Sequence, residues 1–196
     1  MKRIALGVFF SFLAVFLSGC AWIDGDEGTS TFVYNGAMED CVGKHFPTSF
    51  DQYETDEPFE GSARIMMYES IARRITDNYL AIQFAAYDGD TLEPCPTPSE
   101  LVGGDPIAIT INGCVRAQFM INRCDPTIAL RVIGTLTLDK YSVARKKRVS
   151  GTITGDLEQV TKIIQNDGHY EERITSYGSF SGEFSYLNHT GSVWNH

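Results

Sequence analysis

No two cysteines stand as Cys-x-x-Cys, and the four histidines, His45, His169, His189 and His196, are scattered with no pair at metal-ligand spacing. A zinc-type site built from neighbouring ligands is therefore excluded, and the surface is the expected place for each histidine. Positive charge is short as well: 16 Lys and Arg face 25 Asp and Glu, a formal charge of −9. Nucleic-acid binders present basic faces, so this balance excludes them as a class and also predicts repulsion from anionic headgroups. After the N terminus no apolar run approaches membrane-spanning length. A nucleophile elbow is missing too. The nearest approach to Gly-x-Ser-x-Gly is Gly178-Ser179-Phe180-Ser181-Gly182, which has Phe180 at its centre and sits in an alternating strand rather than a strand-to-helix turn.

What is present begins at the N terminus. Lys2 and Arg3 precede an apolar run from Ile4 to Leu17. At about 14 residues it makes roughly 21 Å of helix against about 30 Å of bilayer hydrocarbon, which suits a secretory signal rather than a span. Small residues then lead into a cysteine, and Leu17-Ser18-Gly19-Cys20 resembles the lipobox of bacterial lipoproteins. That resemblance implies a diacylated Cys20 thiol, cleavage before Cys20 and acylation of the freed amine. In that family Ala21, rather than an aspartate, goes with the outer membrane. The expected organisation is a signal peptide over 1–19, a lipidated tether over 20–30 and a single β-rich domain over 31–196. Cleavage leaves 177 residues (196 − 19), enough for one sizeable core, with a formal charge of −11 once Lys2 and Arg3 are gone.

Four further cysteines, Cys41, Cys95, Cys114 and Cys124, read as two disulfides in an exported chain, with metal binding as the rival. Alternation supplies the geometry. Ile107, Ile109 and Ile111 alternate up to Asn112-Gly113, and Val115, Ala117, Phe119 and Ile121 alternate after it. A three-residue hairpin loop would pair Ile109 with Val115 and Ile107 with Ala117. Cys114 and Cys124 would then lie roughly 33 Å apart along one strand, against about 5.5 Å between the Cα atoms of a bridge. In this register Cys124 faces residue 100, near Cys95. The predicted bridges are Cys95–Cys124 and Cys41–Cys114.

Elsewhere Thr31 to Tyr34 reads as a first strand and 36–61 mostly as loop. Ala63 to Ile75 fits either a helical stripe, with Ser62 as its N-cap, or a strand. Leu80, Ile82, Phe84 and Ala86 alternate, as do Ile128 to Leu138, Val149 to Leu157 and Gly178 to Tyr186. Pairing Ile164 with His169 sets Gly155 opposite Gly178, Ile153 opposite Phe180 and Gly151 opposite Gly182. The implied fold is an antiparallel β-sandwich or small barrel of meander hairpins, with room for one short helix. The stretch V-S-G-T-I-T-G-D-L followed by G-S-F-S-G-E-F resembles the terminal hairpin of uncharacterised β-sandwich lipoproteins, which implies a fold and no activity.

Candidate chemistry is sparse. Asp88, Asp90 and Glu93 share one turn and are the one oxygen-ligand set for Ca²⁺, although Asp-Gly-Asp also occurs in turns for backbone reasons. No other cofactor is expected beyond the covalent lipid on Cys20. Arg145-Lys146-Lys147-Arg148 falls at a hairpin tip, where solvated charge is ordinary and where an acidic partner or polysaccharide would dock. Asn188-His189-Thr190 reads as a chance sequon. The expectation is a non-enzymatic lipoprotein held by its acyl chains at the outer membrane, facing periplasm or cell surface, that binds an envelope protein or polysaccharide. A hydrolase whose residues meet only in the fold is the alternative class. A subunit of a surface assembly, recognisable by a long unpaired edge strand, is a third.

Overall fold

The structure, a computed structural model, describes residues 28–58, 62–69, 78–87, 93–96, 106–111, 113–164 and 169–188. The expected signal peptide, Cys20 and most of the expected tether lie outside these residues. β1 (Thr29–Asn35) opens the sheet, so the last two residues of the expected tether already belong to it. The segment read as loop contains a one-turn helix, α1 (Cys41–His45), and the strand β2 (Gln52–Asp56). Asp40 caps α1 by accepting the Gly43 N–H at 2.7 Å. A helix this short carries no periodicity to read. The first part of the ambiguous segment is a strand, β3 (Ala63–Tyr68), while its residues 70–75 lie outside the described residues. β4 (Tyr79–Phe84), β5 (Ile107–Thr110), β6 (Val115–Ile121), β7 (Ile128–Lys140), β8 (Arg148–Ile164) and β9 (Tyr170–Leu187) complete the set.

All the strands belong to one antiparallel sheet, in the order β1-β9-β8-β7-β6-β4-β3-β2, with β5 on β7, curled into a half-barrel. The inward residues of the predicted alternations fill it. Phe119 sits edge-on to Phe32 and Phe180 at 6.1 and 4.9 Å between ring centroids, and Phe46 lies 4.9 Å from Phe119. Burying such rings supplies the main driving force, and their quadrupoles favour these tilted and edge-on contacts. The ends of the sheet meet across the interior. The Phe32 N–H donates to the Thr48 carbonyl at 2.8 Å, and Tyr53 stacks on Tyr186 at 4.6 Å.

Two registers differ from expectation. β5 does not pair with β6: Ile109 faces Leu136 of β7, while β6 lies between β4 and β7. The disulfides change with it. They are Cys41–Cys124 and Cys95–Cys114, Cα atoms 5.8 and 5.6 Å apart, in place of Cys95–Cys124 and Cys41–Cys114. β6 still holds Cys114 and Cys124 apart, beyond its two ends. Because its Cys114 end runs beside β4, the Ala85 N–H reaches the Cys114 carbonyl and the Cys95 N–H reaches the Ala86 carbonyl, and Cys95 arrives at Cys114. At the other end, Asn78 donates to the His45 carbonyl and accepts the Arg123 N–H, which fastens α1 beside Cys124.

The β8–β9 register also moves. Ile164 pairs with Tyr170 rather than His169, and further along Gly155 faces Phe180 and Gly151 faces Phe184. The ladder slips between Asp156 and Glu158, where β9 carries one extra residue and Gly178 has φ +98°. Only glycine takes that conformation without strain. Past the bulge the offset is two residues, so the same side chains still face inward. Across the β8–β9 ladder glycines meet rings instead of one another, and a Cβ on Gly182 would lie 2.2 Å from the Phe32 ring of β1.

Candidate functional site

The interior is occupied by side chains, so recognition falls to the outer surface, where three features stand out. The first is a cleft. β6 and β7 pair from Ile121 with Ile128 to Gln118 with Arg131, then part, and β5 takes over beside β7 from Thr135. The opening, about 380 Å³, has Gln83, Arg116, Gln118 and Arg131 around an apolar floor that includes Val115 and Ala117. Arg131 donates through Nε and Nη2 to Glu158 Oε2 at 3.0 and 2.8 Å. Guanidinium and amide groups over an apolar floor can bind. Among the described residues lining the cleft there is neither a carboxylate pair nor a nucleophile.

The second feature is an arm. β7 last pairs with β8 at Glu158 and β1 last pairs with β9 at Ser179. Among the described residues, β8 is paired with β9 alone from Gln159 to Ile164. One face of this ribbon alternates the apolar pair Val160–Ile174, the ion pair Lys162–Glu172 at 3.8 Å, and the apolar pair Ile164–Tyr170. Of the eight exposed large hydrophobics among the described residues, Ile163, Ile164, Tyr170 and Ile174 are on the arm. The ion pair is solvent-exposed and adds little. A two-stranded ribbon with solvent on both faces is marginal by itself, so its apolar residues are not there to make a core.

The third feature is the opposite end of the same hairpin, the turn from Lys140 to Arg148. Here Asn188, wholly buried, works as a clasp. Its Nδ2 donates to the carbonyls of Thr55 and Val143 at 2.9 Å each, and its Oδ1 accepts the Thr55 N–H at 3.2 Å. Its backbone N–H donates to the Lys147 carbonyl at 2.8 Å. Close by, burial raises the pKa of Tyr186, against an opposing hydrogen bond with Thr55. Burial likewise raises that of Tyr141, helped by Glu57 and Asp56. Among the described residues the Tyr141 hydroxyl has no hydrogen-bond partner.

Of the residues singled out from sequence, Cys20, Asp88, Asp90, His189 and His196 lie outside the described residues. Glu93 is described and exposed, beside the Tyr87–Pro94 bridge. Among the described residues no group of three or more His, Cys, Asp and Glu is placed to hold a metal. His45 ends α1 and His169 sits at the tip of the arm, so the fold does not bring them together. Arg145 to Arg148 are at the hairpin tip, as expected. The cleft had no sequence signal, because it arises from where a strand stops pairing. Asn188 was visible only as part of a sequon, and nothing local marks it as a clasp. Among the described residues no helix is long and apolar enough to cross a membrane. No protein-family model matches the chain, and neither the curated proteins nor the solved structures contain a significant match. Fold and surface define a disulfide-stapled antiparallel half-barrel with a projecting arm.

Proposed function

We propose that this chain is a lipid-anchored, non-enzymatic binding lipoprotein of the bacterial outer membrane, and that the β8–β9 arm carries its contact with a protein of the envelope. The observation behind the binding role is the concentration of exposed Ile164, Tyr170 and Ile174 on a ribbon that extends past the rest of the sheet. Alternating apolar and charged pairs, on strands whose outer edges pair with no other described strand, suit another polypeptide better than a polysaccharide, because backbone groups and side chains both find partners there. The anchor rests on the order Lys2-Arg3, apolar run, Leu-Ser-Gly-Cys20. The two disulfides accord with an exported chain.

Non-reducing mass spectrometry of membrane-extracted protein tests the anchor. The expected result is an acylated Cys20 with Cys41 joined to Cys124 and Cys95 to Cys114; an unmodified Cys20 on a chain still carrying Met1 would overturn it. A photo-crosslinker at Tyr170 in living cells tests the binding role. It should yield one discrete adduct with an envelope protein, absent when the crosslinker is at Thr152. No adduct at any arm position would sink the proposal.

A further inference from the structure

Five of the 16 Lys and Arg, Lys140, Arg145, Lys146, Lys147 and Arg148, fall within one short segment. The fold puts all five, exposed, on the turn between β7 and β8 or on the two strand ends that flank it. Among the described residues none of the five forms an ion pair, whereas Arg64, Arg123, Arg131 and Lys162 each hold a carboxylate. The turn is fixed in place. Lys146 has φ 60°, its N–H donates to the Asn188 carbonyl at 2.6 Å, and Arg148 Nη1 donates to Ser185 Oγ at 2.7 Å. These charges are held together on a rigid tip rather than spread over a solvated loop.

The same end of the sheet receives the chain from the tether. Thr29 pairs with Ser185, Ser185 pairs with Ser150, and Val149 pairs with Tyr186. Gly28 lies against Tyr186, where a Cβ on it would be 2.7 Å from the Tyr186 Cβ. Only two strand spacings, roughly 10 Å, therefore separate the start of β1 from the root of the basic turn. The residues between Cys20 and Gly28 span at most about 30 Å fully extended. A bilayer holding Cys20 thus lies within reach of the turn.

We infer that the basic turn rests on anionic lipid headgroups of the membrane that holds Cys20, so that the hairpin stands on its basic end and presents the arm away from the bilayer. This rests on the anchored reading above. The net charge of the chain argues against headgroup contact only if charge is spread evenly. Screening has a length of about 8 Å at physiological salt, so carboxylates elsewhere on the body count little at the turn. The carboxylates near it are Asp139 and Glu57, with Glu183 lining the same surface hollow as Asp139 and Glu54 facing Tyr186, while Asp56 is engaged by Arg64. Five cations against these four carboxylates still leave the tip positive, the more so because four of the cations are contiguous at the turn. Each Lys or Arg at an anionic surface strengthens attachment roughly fivefold, and an acyl anchor with a basic patch is a two-signal attachment. Tyr170 pairs with Ile164 fifteen residues up β9 from Ser185, which places the arm's tip roughly 50 Å from the membrane end.

The test uses the lipidated full chain in vesicles, with a fluorophore at Ala144 and a quencher on the headgroups. Quenching at Ala144 is expected to be at least threefold stronger in vesicles containing phosphatidylglycerol than in phosphatidylcholine alone. High salt, or the variant R145Q/K146Q/K147Q/R148Q, should remove the difference, and a fluorophore at Thr161 on the arm should stay unquenched. Equal quenching in both lipids, or stronger quenching at Thr161, would overturn the inference. The Cys20→Ala full chain separates the two readings. It should sediment with phosphatidylglycerol vesicles at low salt, and the four-glutamine changes should weaken that at least tenfold. If Cys20 is unacylated in cells and this association persists, the anchored reading fails and the turn's affinity stands. Association that appears only after Asp24, Asp26 and Glu27 are neutralised would overturn it, because the acidic tether would then be the occupant of the turn.

Discussion

The β8–β9 hairpin is two structures on one pair of strands. From Val149 to Leu157 its inward side chains are buried against Phe32, Phe119 and the rest of the core, and Asn188 ties its lower end to β2. Beyond Glu158 the same two strands continue with solvent on both faces. The strands are continuous through both halves, and what changes is the number of neighbouring strands. One half is specified by packing, the other by hydrogen bonds to a single partner, and only the first should answer to changes of side-chain volume.

The largest contrast should come from adding volume. Gly182→Val pushes a side chain into the Phe32 ring and should cost about 3 kcal/mol in urea unfolding, whereas Thr161→Val on the arm should change little. An arm variant as damaging as the core variant would break the comparison. Next is the clasp. Asn188→Ala strands the Thr55 N–H and the carbonyls of Thr55 and Val143, and should destabilise by about 2–3 kcal/mol. It should also loosen the basic turn, read as faster amide exchange at Lys146.

Alkaline pH sharpens the contrast at smaller scale. Tyr186 and Tyr141 titrate above their ordinary value because burial disfavours the phenolate. The folded state then holds protons that the unfolded state has lost. The stability involved is fully present below about pH 10 and disappears as the pH climbs toward the raised values. Tyr141→Phe removes an unpartnered buried hydroxyl, so it should be neutral or stabilising by up to about 1 kcal/mol at pH 7 and should make the alkaline loss shallower. A clear loss of stability at pH 7 in thermal melts would show that the hydroxyl is satisfied. The smallest effect belongs to the arm: I164T/I174T should shift unfolding by less than about 0.5 kcal/mol while abolishing the Tyr170 crosslink. A large stability loss there would make the arm part of the core after all.

Much of the strand content was legible because period-two alternation reports which side chains face a core. Val115, Ala117, Phe119 and Ile121 all point inward as read, as do Val149, Ile153 and Phe184. Pairing was less legible. Asn112-Gly113 is a good hairpin signal, yet β5 and β6 do not pair, because β4 takes one edge of β6 and β7 supplies the other. The disulfide partners were drawn from that hairpin and changed with it. α1, β2, the cleft between β6 and β7 and the Asn188 clasp were not legible at all. α1 is too short to carry a periodicity, and the cleft and the clasp depend on contacts between segments far apart in the chain, such as Thr55 with Asn188.

By itself the sequence determined the acidic balance, the antiparallel β class and which cysteines would be bridged, since these depend on local composition and alternation. Only the tertiary structure decided which cysteine meets which, which strand edges are taken, and that the basic turn shares an end with the start of β1 while the apolar arm leaves from the other. The physical reason is that a strand's pattern encodes its inward face but not its neighbours. Those are selected by long-range packing of the whole sheet around one aromatic core.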